Sequence, residues 1–115
     1  MLIAAAAKGP GLDSIISENY EESSHLLIVE TDTMEIFSLL ENTDGQGQCF
    51  VAPMADSWCE AIVCGKIPWD VFVQIADAGI SRYNGAGLTV LEGLKVAEVY
   101  SLPMIVNEYG HDKDC

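Results

Sequence analysis

Residues 60–98 hold two consecutive strand–helix units, and this pattern constrains the fold more than any other feature of the chain. In each unit a short apolar strand, Ala61–Cys64 and then Ile80–Tyr83, runs into a glycine-containing turn, and a segment with helical spacing of apolar residues follows. Strand–helix–strand units in one sheet have parallel strands and right-handed crossovers. The second half of the chain therefore predicts an α/β fold whose strands end at a common edge.

Local signals mark the ends of the two helices. Pro68 suits the first turn of the first helix, and Gly79 suits the left-handed conformation that ends it. In the second helix, Thr89 and Glu92 have the spacing of a capping box. The side chains predicted to pack on the sheet are Val71, Phe72, Ile75 and Ala76 in one helix and Leu91, Leu94 and Ala97 in the other.

The first half of the chain supplies three more strands. Leu2–Ala7 is apolar throughout, as in a strand buried on both faces, and His25–Thr31 and Glu35–Glu41 flank a tight polar turn, as in a hairpin. Leu12–Ser24 is acidic and rich in serine, and is predicted to be a loop with a helical turn at Asp13–Ser17. The predicted fold is α/β, a three-layer α/β/α arrangement around a mixed five-stranded sheet.

Two further segments complete the predicted domain. After the loop Asn42–Gln48, Pro53 suits the first turn of a short helix. The side chains of this helix predicted to face the sheet are Met54, Ala55 and Trp58. Residues 104–106 are predicted to form a last short strand or to pack against the domain. We place a single domain at residues 1–106 and expect residues 107–115 to be a flexible tail.

The charge balance argues against several classes of partner. The chain has 18 acidic and 5 basic residues, a formal net charge of -13, and its basic side chains are scattered. Nucleic-acid binding depends on Lys and Arg that neutralise phosphates, and anionic membranes attract basic segments. No apolar run reaches the roughly 18 to 20 residues that cross a bilayer, and residues 1–10 lack the basic start of a signal peptide. We expect a cytoplasmic protein that binds neither nucleic acid nor membrane.

The four cysteines are Cys49, Cys59, Cys64 and Cys115. No pair has the two-residue separation that marks zinc knuckles or thioredoxin-type redox sites. Structural zinc is therefore not expected. In a reducing cytosol, Cys59 and Cys64 are most simply small apolar residues of the core.

The loops that leave the first, fourth and fifth predicted strands are expected to share one edge of the sheet, where open α/β sheets bind ligands. The candidate ligand-binding residues there are Lys8, Gly9, Cys64, Gly65, Lys66, Asn84, Gly85 and Gly87. Helix amino termini and lysines favour an anionic ligand, and glycines let a ligand approach the backbone. The alternative is that the glycines only make the turns and that both lysines are solvated.

Cys64 is the candidate metal or sulfur ligand of this edge. Lys66 and a nearby helix start would favour its thiolate, which is the form that binds soft metals. The alternative is a buried residue at the end of a strand, as is common for free cysteines.

Several segments occur in the order and spacing of one known family. They are Ala61–Pro68, Phe72, Ala78–Ile80 and Tyr83–Val90, together with the first strand and Ile28–Thr33. On these segments, nearly the whole chain resembles the dinitrogenase iron-molybdenum cofactor biosynthesis family, which includes the small nitrogenase accessory proteins. The resemblance implies a ribonuclease H-like fold and the binding or carrying of iron–sulfur or molybdenum-containing cluster precursors. It also implies a metal–sulfur cluster assembly protein as partner.

Two segments depart from the family pattern. Where many members have a Phe-Gly-Arg-like segment this chain has Tyr20–Glu22, and where members often read Gly-Gly-Ile-Gly it has Gly65–Asp70. In the first segment, acids replace groups that would favour an anionic cluster. An alternative function is therefore an interaction module that has lost cluster binding and docks a basic partner through Glu18–Glu22. The sequence leaves open whether the chain forms a homodimer.

The sequence does not favour an enzyme. Ribonuclease H chemistry needs several acids that hold two metal ions, the first of them on strand one, and that strand reads Ala4–Ala7. The sequence also contains no Walker loop, serine nucleophile elbow or metalloprotease histidine pair. We expect a binding or carrier domain without catalytic activity.

Overall fold

Five strands of the chain pair into one sheet. The computed structural model describes residues 1–98 and 102–105. The strands are β1 (Leu2–Ala7), β2 (His25–Glu30), β3 (Glu35–Glu41), β4 (Ala61–Cys64) and β5 (Ser81–Asn84), and the helices are α1 (Val51–Asp56), α2 (Trp69–Asp77) and α3 (Val90–Glu98). Single 3-10 turns form at Tyr20–Glu22 and Gln48–Phe50. Within the described residues, each helix is too short or too polar to cross a bilayer.

The strand order places three carboxyl ends side by side. Across the sheet the order is β3-β2-β1-β4-β5. β1 and β5 both run parallel to β4, and β2 runs antiparallel to both of its neighbours. The carboxyl ends of β1, β4 and β5 therefore share one edge, which we call the carboxyl edge, and their amino ends share the opposite, amino edge. The predicted meeting of the three loops is confirmed.

Helices cover both faces of the sheet. Successive residues of a strand point to opposite faces, so Ala4 and Ala6 of β1 pack in the core with α1 and α2, whereas Ile3 and Ala5 pack in the core with α3. The α/β class and the three-layer arrangement around a mixed five-stranded sheet are thereby confirmed. The ribonuclease H-like label and the domain boundary after residue 106 remain predictions, and the predicted tail at 107–115 lies outside the described residues.

Two further sequence predictions agree with the structure: the capping box at the start of α3 and the packing of the segment after Pro103. The Thr89 N–H group donates to Glu92 Oε1 at 3.0 Å and the Glu92 N–H group donates to Thr89 Oγ1 at 3.1 Å, so the capping box forms. The hydrogen bonds that the Thr89 N–H and hydroxyl groups donate to Glu92 Oε1 hold the pKa of this carboxyl below its ordinary value. Beside β5, Met104 pairs with Tyr83 and Ile105 is buried. The described part of the predicted last segment therefore packs along the outer strand.

Two local predictions are wrong. The helical turn predicted at Asp13–Ser17 does not form: Asp13 lies in a turn closed by the Ser14 N–H group and the Gly11 carbonyl, and Ile15 and Ile16 then form β-bridges. Three side chains of the helix after Asn42–Gln48, now α1, were predicted to face the sheet. Of these, Met54 is buried, whereas Ala55 and Trp58 are exposed. The six-residue α1 is too short to present a continuous apolar face.

α1 and α2 end in the same way, but with different residues. Trp58 and Gly79 occupy equivalent positions just past the two helices, with φ of 60° and 78°. In both cases the N–H group of this residue and that of the next one donate to carbonyls of the last helical turn, at 3.0 to 3.3 Å. Glycine adopts this left-handed conformation readily, whereas a Cβ disfavours it. α1 therefore ends on a strained tryptophan where α2 ends on glycine.

Exchanging these residues is expected to change stability in opposite directions. Trp58→Gly should raise the free energy of unfolding by about 1 kcal/mol, because it removes left-handed strain and deletes a side chain of a residue that is 87% exposed. Gly79→Ala should lower it by about 1 kcal/mol, since the added Cβ meets no atom within 4 Å and brings strain alone. Urea denaturation measures both changes. A Trp58→Gly variant less stable than wild type would contradict this account of the helix end.

Candidate functional site

The carboxyl edge carries the three loops that contain the candidate residues. The loop after β5 bonds to the end of β4, because the Gly85 N–H group donates to the Cys64 carbonyl at 3.1 Å. β1 pairs with β4, so Lys8 and Lys66 follow neighbouring strands. The structure therefore brings all eight candidate residues to one edge of the sheet.

A segment of the chain itself runs across this edge. We call residues 12–20 the crossing segment. Its first half lies between the loop after β1 and the loop before α3: the Lys8 N–H group donates to the Ile15 carbonyl at 2.9 Å, and the Ile16 N–H group donates to the Leu88 carbonyl at 2.8 Å. The region predicted to be a loop is thus ordered by backbone hydrogen bonds to distant parts of the chain.

The second half of the crossing segment pairs with the loop after β4. The Lys66 N–H group donates to the Glu18 carbonyl at 2.8 Å, and the Tyr20 N–H group donates to the Lys66 carbonyl at 2.7 Å. The Gly87 N–H group likewise donates to the Ile16 carbonyl at 3.1 Å. These main-chain donors are used by the protein itself, so they are not available to a ligand in this conformation.

Two glycines at the edge leave room for this arrangement. A Cβ on Gly65 would overlap the Glu18 carbonyl, and a Cβ on Gly85 would overlap Val63 and contact Ile16. Both glycines are buried. Close approach of the protein's own chain accounts for them, and this favours the interpretation that they shape the edge rather than bind a ligand.

Two lysines remain exposed at the edge. Lys8 follows β1 and Lys66 follows β4, and both side chains are solvent-accessible. Gly87 is exposed, and Gly9 and Asn84 are half-buried. An anionic ligand can reach these residues without displacing the crossing segment.

Cys64 lies in the core on the α1 and α2 side of the sheet and is fully buried. Burial raises the pKa of its thiol far above the ordinary value, and the charge of Arg82 offsets only part of this increase. Of the two interpretations of Cys64, the structure agrees with a buried residue at the end of a strand rather than with a thiolate favoured by Lys66. Within the described residues, no group of three or more His, Cys, Asp or Glu side chains could hold a metal ion. The residues of the carboxyl edge therefore suit a ligand held by Lys8 and Lys66 better than a ligand bound to the sulfur of Cys64.

Acidic side chains cluster beside the edge, at the end of β3. Tyr20 anchors the 3-10 turn that also contains Glu21 and Glu22, because its ring is buried and its hydroxyl donates to the Gly47 carbonyl at 2.6 Å. Glu21 and Glu22 follow, and together with Glu41 they line a cavity of about 420 Å³. The acids that depart from the family pattern therefore frame a negatively charged cavity.

A larger cavity lies at the amino edge, where sequence analysis predicted no site. Its volume is about 620 Å³, and it is bounded by the ends of α1 and α2 and by the starts of β4 and β5. Trp58 lines it and is 87% exposed. An aromatic residue after a short helix is a weak sequence signal for such a site, because the same residue is usually a packing residue.

The chain is similar to known proteins over most of its length. A model of the dinitrogenase iron-molybdenum cofactor family matches residues 1–98. The apo form of the orange protein from Desulfovibrio gigas is 24% identical, with a TM-score of 0.79, and the match covers 92% of this chain and 93% of that one. A candidate NifB protein from Thermotoga is 19% identical, with a TM-score of 0.78 and coverage of 99% and 98%. A candidate dinitrogenase from Methanocaldococcus jannaschii is 23% identical, with a TM-score of 0.69 and coverage of 93% and 96%.

A search of curated proteins returned no match. At identities of 24% or less, the solved structures establish the shared fold and carry no conclusion about a ligand. The family match, in contrast, is a match of sequence that includes all three loops of the carboxyl edge.

The role of Gly65 can be separated from that of its neighbour. Gly65→Ala is expected to lower the free energy of unfolding by about 1 to 3 kcal/mol, the usual cost of overpacking, because the added Cβ would overlap the Glu18 carbonyl. Lys66→Ala is the matched control and should change it by less than about 0.5 kcal/mol, since that side chain is exposed and the main-chain bonds are kept. Urea denaturation gives both values. Wild-type stability of Gly65→Ala would mean that the crossing segment does not need this glycine.

Proposed function

Because the chain belongs to the dinitrogenase iron-molybdenum cofactor family, we propose that it is a non-enzymatic domain that binds or carries a metal–sulfur cluster precursor. The cargo is an iron–sulfur or molybdenum-containing cluster, and the binding face is the carboxyl edge. In this proposal the protein is cytoplasmic, and a cluster assembly protein supplies or receives the cargo.

The placement of Lys8 and Lys66 carries this proposal. They are two of only five basic residues in a chain of net charge -13, and both are exposed where neighbouring strands end. Two ammonium groups at one edge supply the charge that an anionic ligand needs on an otherwise acidic protein. An anionic cluster is attracted to this edge more than to the acidic surface elsewhere.

The other candidate residues have supporting roles in this proposal. Gly9, Asn84 and Gly87 flank the cargo, and their partial exposure supports this assignment. Gly65 and Gly85 shape the loops beneath it, because both are buried and closely packed. Cys64 is buried below the edge, and burial raises the pKa of its thiol, which favours contact through the lysines over ligation by this sulfur.

A second candidate function is the docking of a basic partner without cluster binding. Glu21, Glu22 and Glu41 line one cavity beside the carboxyl edge, and Glu18 is exposed on the crossing segment. Grouped carboxylates attract basic partners and speed their association. The two candidates therefore differ in the charge of the ligand that they require.

Anaerobic reconstitution tests the cluster proposal. The purified chain is incubated with ferrous iron and sulfide, desalted, and analysed for bound iron and for visible absorption. We expect wild type to retain iron and the double variant Lys8→Ala, Lys66→Ala to retain several-fold less, because the two ammonium groups are lost. Lys95→Ala is the matched control, since this exposed lysine lies on α3, several residues beyond its start at the carboxyl edge. A colourless, iron-free wild-type protein would contradict cluster binding.

Two further variants separate the alternatives. The Cys64→Ser variant should take up as much iron as wild type. A loss of iron uptake in this variant would instead indicate that the Cys64 thiol is part of the binding site. The second variant is the double substitution Glu21→Lys, Glu22→Lys. If wild type takes up no metal but binds a basic partner, and this double variant does not bind that partner, docking replaces cluster binding as the function.

A further inference from the structure

Trp58 is exposed at a cost to stability. It adopts φ of 60° in the position where the equivalent end of α2 has Gly79, and a Cβ makes this conformation unfavourable. Packing recovers little of the cost, because 87% of the residue is exposed. A large aromatic side chain at a strained and exposed position favours a binding role over a packing role.

The cavity beside Trp58 gives this side chain a site to act in. The walls of this groove come from two chain turns, with Trp58, Cys59 and Glu60 on one side and Gly79, Ile80 and Ser81 on the other. Its volume of about 620 Å³ falls within the range of about 300 to 1,000 Å³ that is typical of ligand sites. The groove lies at the amino edge of the sheet, opposite the proposed cluster face.

The charges around the groove are negative. Glu60 lines it directly, and Asp56 and Asp77, both exposed, are the last residues of α1 and α2. The carboxyl end of α2 adds a partial negative charge. Cys59 in the wall adds no charge near neutral pH, because burial raises the pKa of its thiol to about 11.

Arg82, the basic residue of the neighbouring strand β5, is engaged beside the groove. Its guanidinium lies 4.8 Å from the centre of the Phe72 ring, and it donates to the carbonyls of Ile80 at 2.8 Å and Ile105 at 3.3 Å. It is not among the residues that line the groove. Among the described residues that line the groove, no basic side chain neutralises Glu60.

We propose that Trp58 and Glu60 form a docking site for an arginine side chain on a basic segment of a partner protein. A guanidinium stacks on an indole face, for which tryptophan is the best aromatic residue, and its planar donors match a carboxylate. A second copy of this chain is a poorer occupant, because each copy has a net charge of -13. The proposal does not depend on cluster binding at the carboxyl edge.

The indole N–H signals of the labelled full chain provide the test. The two tryptophans give one signal each, and Trp58→Gly identifies the signal of Trp58. A short peptide with one arginine is expected to shift the Trp58 signal saturably in the millimolar range, because single cation–π and carboxylate contacts are weak. The Trp69 signal is the internal control and should not shift, because Trp69 does not line the groove. Its ring stacks on that of Phe72, with 5.5 Å between the ring centres.

Matched probes distinguish charge-dependent binding of arginine from nonspecific binding of the peptide. The same peptide with citrulline, which keeps the shape but lacks the charge, should give no saturable shift, and Glu60→Gln should weaken arginine binding about two- to fivefold. Equal shifts with citrulline, equal shifts of Trp69, or the absence of saturation would overturn the proposal. A Trp58 shift that depends on protein concentration without peptide would also overturn it, in favour of a second copy.

Discussion

The carboxyl edge depends on the close approach of the crossing segment to the end of β4. Gly65 permits this approach, because a side chain there would overlap the Glu18 carbonyl, and two main-chain hydrogen bonds of Lys66 hold the segment in place. At its other end the same segment is bonded to the loop before α3. The loop after β1 and the β4–α2 and β5–α3 connections are thereby joined by backbone hydrogen bonds, and the crossing segment covers the ends of these strands.

A closed edge limits the ways in which this domain can hold a ligand. Glycine loops often present free main-chain N–H groups to anions, but here Lys66 and Gly87 donate theirs to the crossing segment. Those two N–H groups are therefore not offered to a ligand, and the exposed cationic side chains at this edge are Lys8 and Lys66. The amino edge has the opposite character, because Trp58 and Glu60 line a groove suited to a cation. The two proposed sites therefore lie on different surfaces of the domain.

Much of the fold could be predicted from sequence, because its strands and helices have strong local signals such as the apolar run Leu2–Ala7 and the capping box before α3. The crossing segment could not, since its order comes from hydrogen bonds to residues far along the chain and its acidic sequence has no periodicity. For Cys64 the sequence left two interpretations open, a buried core residue and a thiolate ligand, and its full burial agrees with the first. The exposure of Trp58 depends on a positive φ that no local pattern indicates.

Native-state hydrogen exchange of the full chain tests the closed edge most directly. If the crossing segment is part of the folded core, the amides of Ile16, Tyr20 and Lys66 should open with the same free energy as amides of β1 such as Ala5. That result would show that the edge opens only when the whole domain unfolds. Rapid exchange at Tyr20 and Lys66 while Ala5 stays protected would contradict the account, because the crossing segment would then be a separately opening cover over the ends of the strands.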